Sequence, residues 1–255
     1  MFKSKNPKDE IVENPPSIEK FPLIGMAFRN SSPFLISAWF FGLLFGFTGA
    51  SLNFTFLFIC SLSLLVNSGS VQFLTIVMIS EGEPIFAVFL TALFINLRLA
   101  FYGASLRNMF ELRTWEKLLW PYFILDESFI ATTTSQSQLQ NSQELPTKLK
   151  FIFLYAGIFL TSTWNIATLL GYWLFSSVGS FLDIPNRLII AASFVGFLAL
   201  HWQTQKQDRI LLVILGILSI ITGFFISSST IILMLMIIAV VLKMITYIQN
   251  SGDIS

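Results

Sequence analysis

Charge is scarce in this chain. Asp, Glu, Lys and Arg make up 11% of its 255 residues, against about 25% in an ordinary soluble domain. A soluble protein of this size needs charge to cover its surface, so the shortage excludes water as the main solvent of that surface. Cysteine and histidine are scarcer still, with one of each, Cys60 and His201. One thiol cannot form an internal disulfide or a cysteine metal cluster. One imidazole leaves zinc chemistry and His-based nucleophilic catalysis without parts. The net charge of +1 supplies no basic excess for a nucleic-acid partner. No metal, no cofactor and no enzymatic role are expected.

Apolar side chains fill the space instead, at 55% of the chain, and the mean hydropathy is +0.75. A bilayer core about 30 Å thick needs roughly 20 apolar helical residues. Runs 33–50, 84–103, 151–178, 209–226 and 230–248 meet or approach that length, and the shorter run 188–202 can span by borrowing neighbours. Ser32 is placed to cap the first helix, with Pro33 at its first position. Residues 1–30 read as an N-terminal cytoplasmic tail with no cleavable signal peptide, 31–250 as a single transmembrane domain, and 251–255 as a C-terminal tail.

Segment 53–80 departs from this pattern. It holds "NFTFLFICSLSLLV", then "NSGS", then "VQFLTIVMIS". Its apolar pieces reach only about 21 and 15 Å as helix, so neither spans alone. Positive residues choose between the alternatives. If 53–80 enters the membrane and returns to the same side, thirteen of the fifteen Lys and Arg fall on the cytoplasmic side, leaving Arg187 outside and Arg98 within. A single crossing would put the basic N-terminal segment and the basic 104–150 segment on opposite sides. The expected fold is therefore an all-α polytopic membrane bundle of about six full spans plus a re-entrant or broken-helix element at 53–80, with both termini cytoplasmic. The 104–150 connection is too long for a plain loop. Its apolar middle, 118–131, can lie in the interface or dip inward, and the polar "TTTSQSQLQNSQ" at 132–143 reads as flexible.

The polar groups inside these apolar runs are the candidate site. Arg98, in 84–103, costs at least about 2.5–3.5 kcal/mol unless it has a partner or a water-filled cavity. It shares a helix face with Ile95 and Tyr102, while Asn96 lies on a second, small-residue face. Arg98 can snorkel to the cytoplasmic headgroups in a structural ion pair, or it can clamp a carboxylate on a transport path. Asp126 and Glu127, in "FILDESF", are its candidate partners and candidate proton-coupling groups; alternatively both sit in surface water. The break offers Asn67, Ser68, Ser70 and Gln72 as neutral donors and acceptors, and Gly69 as a residue free to adopt unusual backbone angles. A half-helix starting there exposes N–H groups to an anion; the alternative is a bend whose polar groups satisfy one another. Cys60 reads as a packing residue.

"FGLLFG" (41–46), "GSVQF" (69–73), "FINLRLAFYGASL" (94–106), "LDESFI" (125–130) and "LDIP" (182–185), in that order, resemble the motifs of the AzlC family of branched-chain amino acid transport proteins. The family's small residue before the glutamine is often alanine, where Val71 stands here. The resemblance implies the large subunit of a two-component exporter of valine, leucine and isoleucine in the bacterial inner membrane. It also implies a small AzlD-type membrane protein as partner and the proton gradient as driving force. The alternatives are an uptake permease, an exporter of another small amino acid such as methionine, or a passive channel or structural membrane subunit. For a zwitterionic substrate, Arg98 or the 67–70 break would take the carboxylate, and Asp126 or Glu127 the ammonium.

Overall fold

The computed structural model describes residues 20–140, 142, 144–179 and 209–222, with 195, 234 and 238 singly. The described residues form helices and no strand. Among the described residues three helices are long and apolar enough to cross a membrane: α1 (Lys20–Ser51), α4 (Ile85–Arg107) and α7 (Leu145–Val178). The protein is an all-α membrane protein. Apart from the single residues 195, 234 and 238, runs 188–202 and 230–248 lie outside the described residues, as do both chain ends. Run 209–226 is described over α8 (Arg209–Thr222).

Helix α1 begins twelve residues before the expected Ser32 cap and carries Pro33 in its interior. A proline there cannot donate to the carbonyl of residue 29. The Ser32 hydroxyl donates to that Arg29 carbonyl instead, at 2.9 Å. Ser32 is thus the residue that lets Pro33 sit inside a long helix, and not a cap. In lipid such a repair matters, because no water is at hand to satisfy a stranded carbonyl.

The two longest helices, α1 and α7, run parallel along much of their length. Leu23 and Ala27 pack with Ile152 towards their starts, and the Phe47 and Phe175 rings meet edge to face at 5.0 Å near their ends. Small residues allow the approach. A Cβ on Gly46 would lie 1.9 Å from the Thr168 carbonyl oxygen, and one on Gly171 would lie 2.0 Å from that of Leu43. Gly42 and Gly46 face Ala167 and Gly171, a four-residue spacing of small residues on each helix.

Segment 53–80 forms two short helices, as its interrupted composition predicts: α2 (Phe56–Leu65) and α3 (Gly69–Ser80). Their path is fixed by their partners. Tyr172 donates to the Phe54 carbonyl (2.9 Å), Ser63 to Asn165 (2.8 Å) and Asn67 to Thr161 (2.9 Å). Helix α2 therefore runs back along α7 from its end towards its middle. Helix α3 then returns: Phe73 meets Phe45 at 5.4 Å, and Ile76 joins the cluster of Phe45 and Ile59. Ile59 lies against Gly49, near the end of α1. The element is a hairpin that turns near mid-depth.

A second hairpin approaches from the opposite end. After α4, α5 (Glu116–Leu119) and a 3-10 turn (Trp120–Phe123) climb from the level of Leu149, and α6 (Asp126–Gln138) descends again. Trp120 and Phe110 pack with Leu149 and Phe153, Phe123 rests against Gly157, and Ser135 accepts a hydrogen bond from Asn30 at 2.7 Å. Residues 132–138 of the polar stretch expected to be flexible are helical. Thr132 and Ser135 are fully buried in α6, and their hydroxyls donate to the carbonyls of Ser128 and Ala131.

Candidate functional site

The two hairpin tips meet beside the midpoint of α7. Asn67 donates to the Tyr122 carbonyl at 2.8 Å and to the Thr161 hydroxyl at 2.9 Å. Tyr122 in turn donates its hydroxyl to the Leu64 carbonyl at 2.7 Å. The carbonyls at the end of α2 and in the 3-10 turn have no helical partner of their own. Each tip satisfies groups stranded by the break in the other.

Gln72 locks the first break from within. It is fully buried. Its amide nitrogen donates to the Val66 carbonyl at 2.5 Å, and its amide oxygen accepts from the Trp164 indole at 2.9 Å. Gly69 lies under the same indole, where a Cβ would come within 2.6 Å of the ring. Its backbone is not left-handed; Asn53 is the non-glycine residue, and Gly82 the glycine, with positive φ among the described residues. Close contact with Trp164, not backbone freedom, is what demands glycine at position 69. Ser68 precedes α3 with its hydroxyl buried and unpartnered.

Arg98 lies near the middle of α4 and reaches between the tips. Its guanidinium pairs with Asp126 at 2.8 Å and donates to the Ser70 hydroxyl at 3.3 Å. Both charged side chains are partly exposed, at 43% and 31%. Among the described residues Asp126, and not Glu127, makes the ion pair with Arg98. Tyr102, one turn beyond Arg98, stacks on Phe129 at 4.6 Å and lies within electrostatic reach of Arg98, Asp126 and Glu127. Ser70 and Asp126 stand in the first turns of α3 and α6. Two helix starts, with their partial positive charge, therefore converge on one guanidinium. Among the described residues, the second oxygen of Asp126 and the side-chain oxygen of Asn96 are buried and make no hydrogen bond within 3.5 Å, and the Tyr102 hydroxyl lies at the edge of reach of Asp126. Such acceptors cost free energy until a donor arrives.

Arg98, Ser70 and Asp126 are thus brought into direct contact, with Tyr102 and Glu127 alongside. Asn67, Gly69 and Gln72 hold the scaffold. Trp164, Thr161 and Tyr122 join the scaffold without being among the residues expected from the sequence. A usable signal was present: "STWN" (162–165) sets polar side chains in mid-run, where lipid offers them no partner. No group of His, Cys, Asp and Glu among the described residues is arranged to hold a metal ion. Outside this centre, Glu116 accepts from Lys150 at 2.5 Å and from the Arg113 backbone N–H at 2.7 Å. Burial works to raise the Glu116 carboxyl, but these bonds and the two positive charges hold it below the ordinary carboxylate range.

Long apolar helices, two broken hairpins and an ion pair at their junction define a polytopic membrane protein with a polar centre at mid-depth. Residues 33–178 match the family model described as AzlC protein, and the chain belongs to that family of membrane transport proteins. It is 24% identical over 203 residues to the inner membrane protein YgaZ of Escherichia coli (strain K12), covering 77% of this chain and 80% of that one. It is 25% identical over 200 residues to the branched-chain amino acid transport protein AzlC of Bacillus subtilis (strain 168), covering 76% and 75%. An uncharacterized membrane protein of Haemophilus influenzae is 27% identical over 194 residues, covering 74% of this chain and 75% of that one. No solved structure matches the chain.

Proposed function

We propose that this chain is the large subunit of an exporter of valine, leucine and isoleucine in the bacterial inner membrane, driven by the proton gradient and working with a small AzlD-type membrane protein. The observation that carries the proposal is the Arg98–Asp126 pair at the meeting of the two hairpin tips. A branched-chain amino acid presents a carboxylate, an ammonium and an apolar side chain. Arg98, the Ser70 hydroxyl and the start of α3 suit the carboxylate. The unpartnered oxygen of Asp126 suits the ammonium. Substrate entering here exchanges one ion pair for two, so the Arg98–Asp126 contact must loosen as the zwitterion binds. Protonation of Asp126 would loosen the same contact, which gives the proton a route into the cycle. The name of the Bacillus subtilis relative supports the substrate class.

The test is export of intracellular valine, leucine, isoleucine and methionine from cells fed the matching dipeptides, with and without this chain and its small partner. Export that appears with both proteins and collapses with the pH gradient supports the proposal. A flat result for all four amino acids removes it. Export of methionine alone would move the substrate outside the branched-chain class.

A further inference from the structure

A cavity of about 620 Å³ lies between the last turns of α4 and the rising 110–124 segment. That size falls within the roughly 300–1,000 Å³ of small-molecule sites. Its walls include Leu106, Phe110, Trp120 and Phe153, an apolar surface suited to a branched aliphatic side chain. Its exposed lining residues carry both signs, Arg107 and Lys117 against Glu111. Gly103 and Ile124 also line it. A Cβ on Gly103 would sit 3.3 Å from the end of the Ile124 side chain, so this pair forms a pinch. Gly103 lies five residues beyond Arg98, and Ile124 two before Asp126. The pinch therefore stands within about two helical turns of the central ion pair. Arg107 and Lys117 line the cavity beside the end of α4, the end that the distribution of positive charge puts in the cytoplasm.

We infer that this cavity is a loading site, in which a zwitterionic aliphatic amino acid is bound from the cytoplasm before it passes the Gly103–Ile124 pinch to Arg98 and Asp126. The inference rests on the amino acid export proposed above and adds a second binding site to it. The exposed charges hold the two charged ends of the amino acid, and the apolar wall selects its side chain. Lysine and glutamate bring a third charge that this wall would have to desolvate.

The test uses inside-out vesicles carrying the full chain and its small partner, with Cys60 replaced by Ala and Leu112, a partly buried lining residue, replaced by Cys. Leucine transport by this variant is measured first, and labelling by a membrane-impermeant thiol reagent second. Leucine at about ten times its Kd should slow labelling roughly tenfold, because about a tenth of sites stay free. Lysine and glutamate should not slow it. Ile124→Trp should keep the protection while leucine transport falls. Arg107→Gln and Glu111→Gln should raise half-saturation without lowering the maximal rate, the signature of lost ground-state binding. Vesicles that move leucine but show no leucine protection, or equal protection by all three amino acids, overturn the loading site and leave the exporter standing. Protection with unchanged transport in Ile124→Trp places the cavity off the path and overturns it too. Vesicles that move no amino acid bring down the exporter and the loading site together.

Discussion

The Asn67 side chain, at the tip of one interrupted hairpin, donates to the main-chain carbonyl of Tyr122, at the tip of the other, over 2.8 Å. This bond joins two elements 55 positions apart in the chain. It fixes the spacing of the tips, and with it the gap that Arg98 spans.

Asn67→Ala should lower the stability of the purified protein by about 1–3 kcal/mol. It leaves the Tyr122 carbonyl and the Thr161 hydroxyl without their donor, and an unmet buried group costs that much. Tyr122→Phe, which removes the bond to Leu64, should cost less, because the Tyr122 hydroxyl end is the more exposed. Thermal unfolding in detergent, followed by fluorescence, compares the two.

Arg98→Gln and Asp126→Asn should each reduce branched-chain amino acid export by about tenfold or more. A charge-assisted hydrogen bond is worth roughly 1.5–3 kcal/mol, and both variants remove one from the proposed substrate contact. Arg98→Lys should recover little, since an ammonium cannot offer the paired N–H fork. Membrane levels are measured alongside by immunoblot. Undiminished export in both charge-neutral variants would remove these residues from the mechanism.

Gly46→Val and Gly171→Val should fail to accumulate in the membrane. Each added side chain would have to enter space held by a backbone carbonyl of the facing helix. The helices would have to part, and close packing is what drives their association in lipid. Gly25→Ala in α1 is the control, because nothing lies near that Cβ position. Protein yield from membranes reads the difference.

Trp164→Phe should loosen the first hairpin, because the smaller ring leaves part of the space over Gly69 empty. It strands the Gln72 amide oxygen in a buried site, at a cost of about 1–3 kcal/mol. The double variant Gln72→Leu with Trp164→Phe removes both partners and should be less harmful than the sum of the singles. Thermal unfolding of the four proteins closes the cycle.

The Glu116–Lys150 pair should make the protein acid-sensitive. The folded-state carboxyl titrates below its ordinary value. Its contribution is therefore complete above the unfolded value of about 4.3. It is lost as pH falls through the lower folded value. Melting temperature measured from pH 6 down to pH 3 should fall more steeply for the native chain than for Glu116→Gln.

Several of these features were legible in the linear chain. Arg98 announces a partner because a lone cation in lipid is too costly to leave unpaired, and the acidic "DE" at 126–127 is the acid pair set in an apolar context. Which of the two acids answers is a matter of α6's rotation, which composition does not carry. The break at 67–70 is visible because "NSGS" interrupts two apolar pieces too short to span. Ser32 and Pro33 misled for a local reason: their types match a helix start, but a hydroxyl can also replace the bond that an interior proline loses. "TTTSQSQ" misled because polarity without charge looks like loop until a partner such as Asn30 is seen. The spacing of Gly42 with Gly46, and of Ala167 with Gly171, marks a small face on each helix, but that the two faces meet is seen only in the fold.

The sequence by itself determined the solvent, the helices and the positions of the costly groups, because transfer to lipid depends on each residue's own chemistry and on runs of neighbours. Only the tertiary structure decided that two broken hairpins enter from opposite ends, meet at Asn67 and Tyr122, and hand Arg98 to Asp126. Those contacts join residues 28 to 94 positions apart. They depend on helix direction, rotation and depth, which are settled by packing across the whole fold and by no single stretch of it.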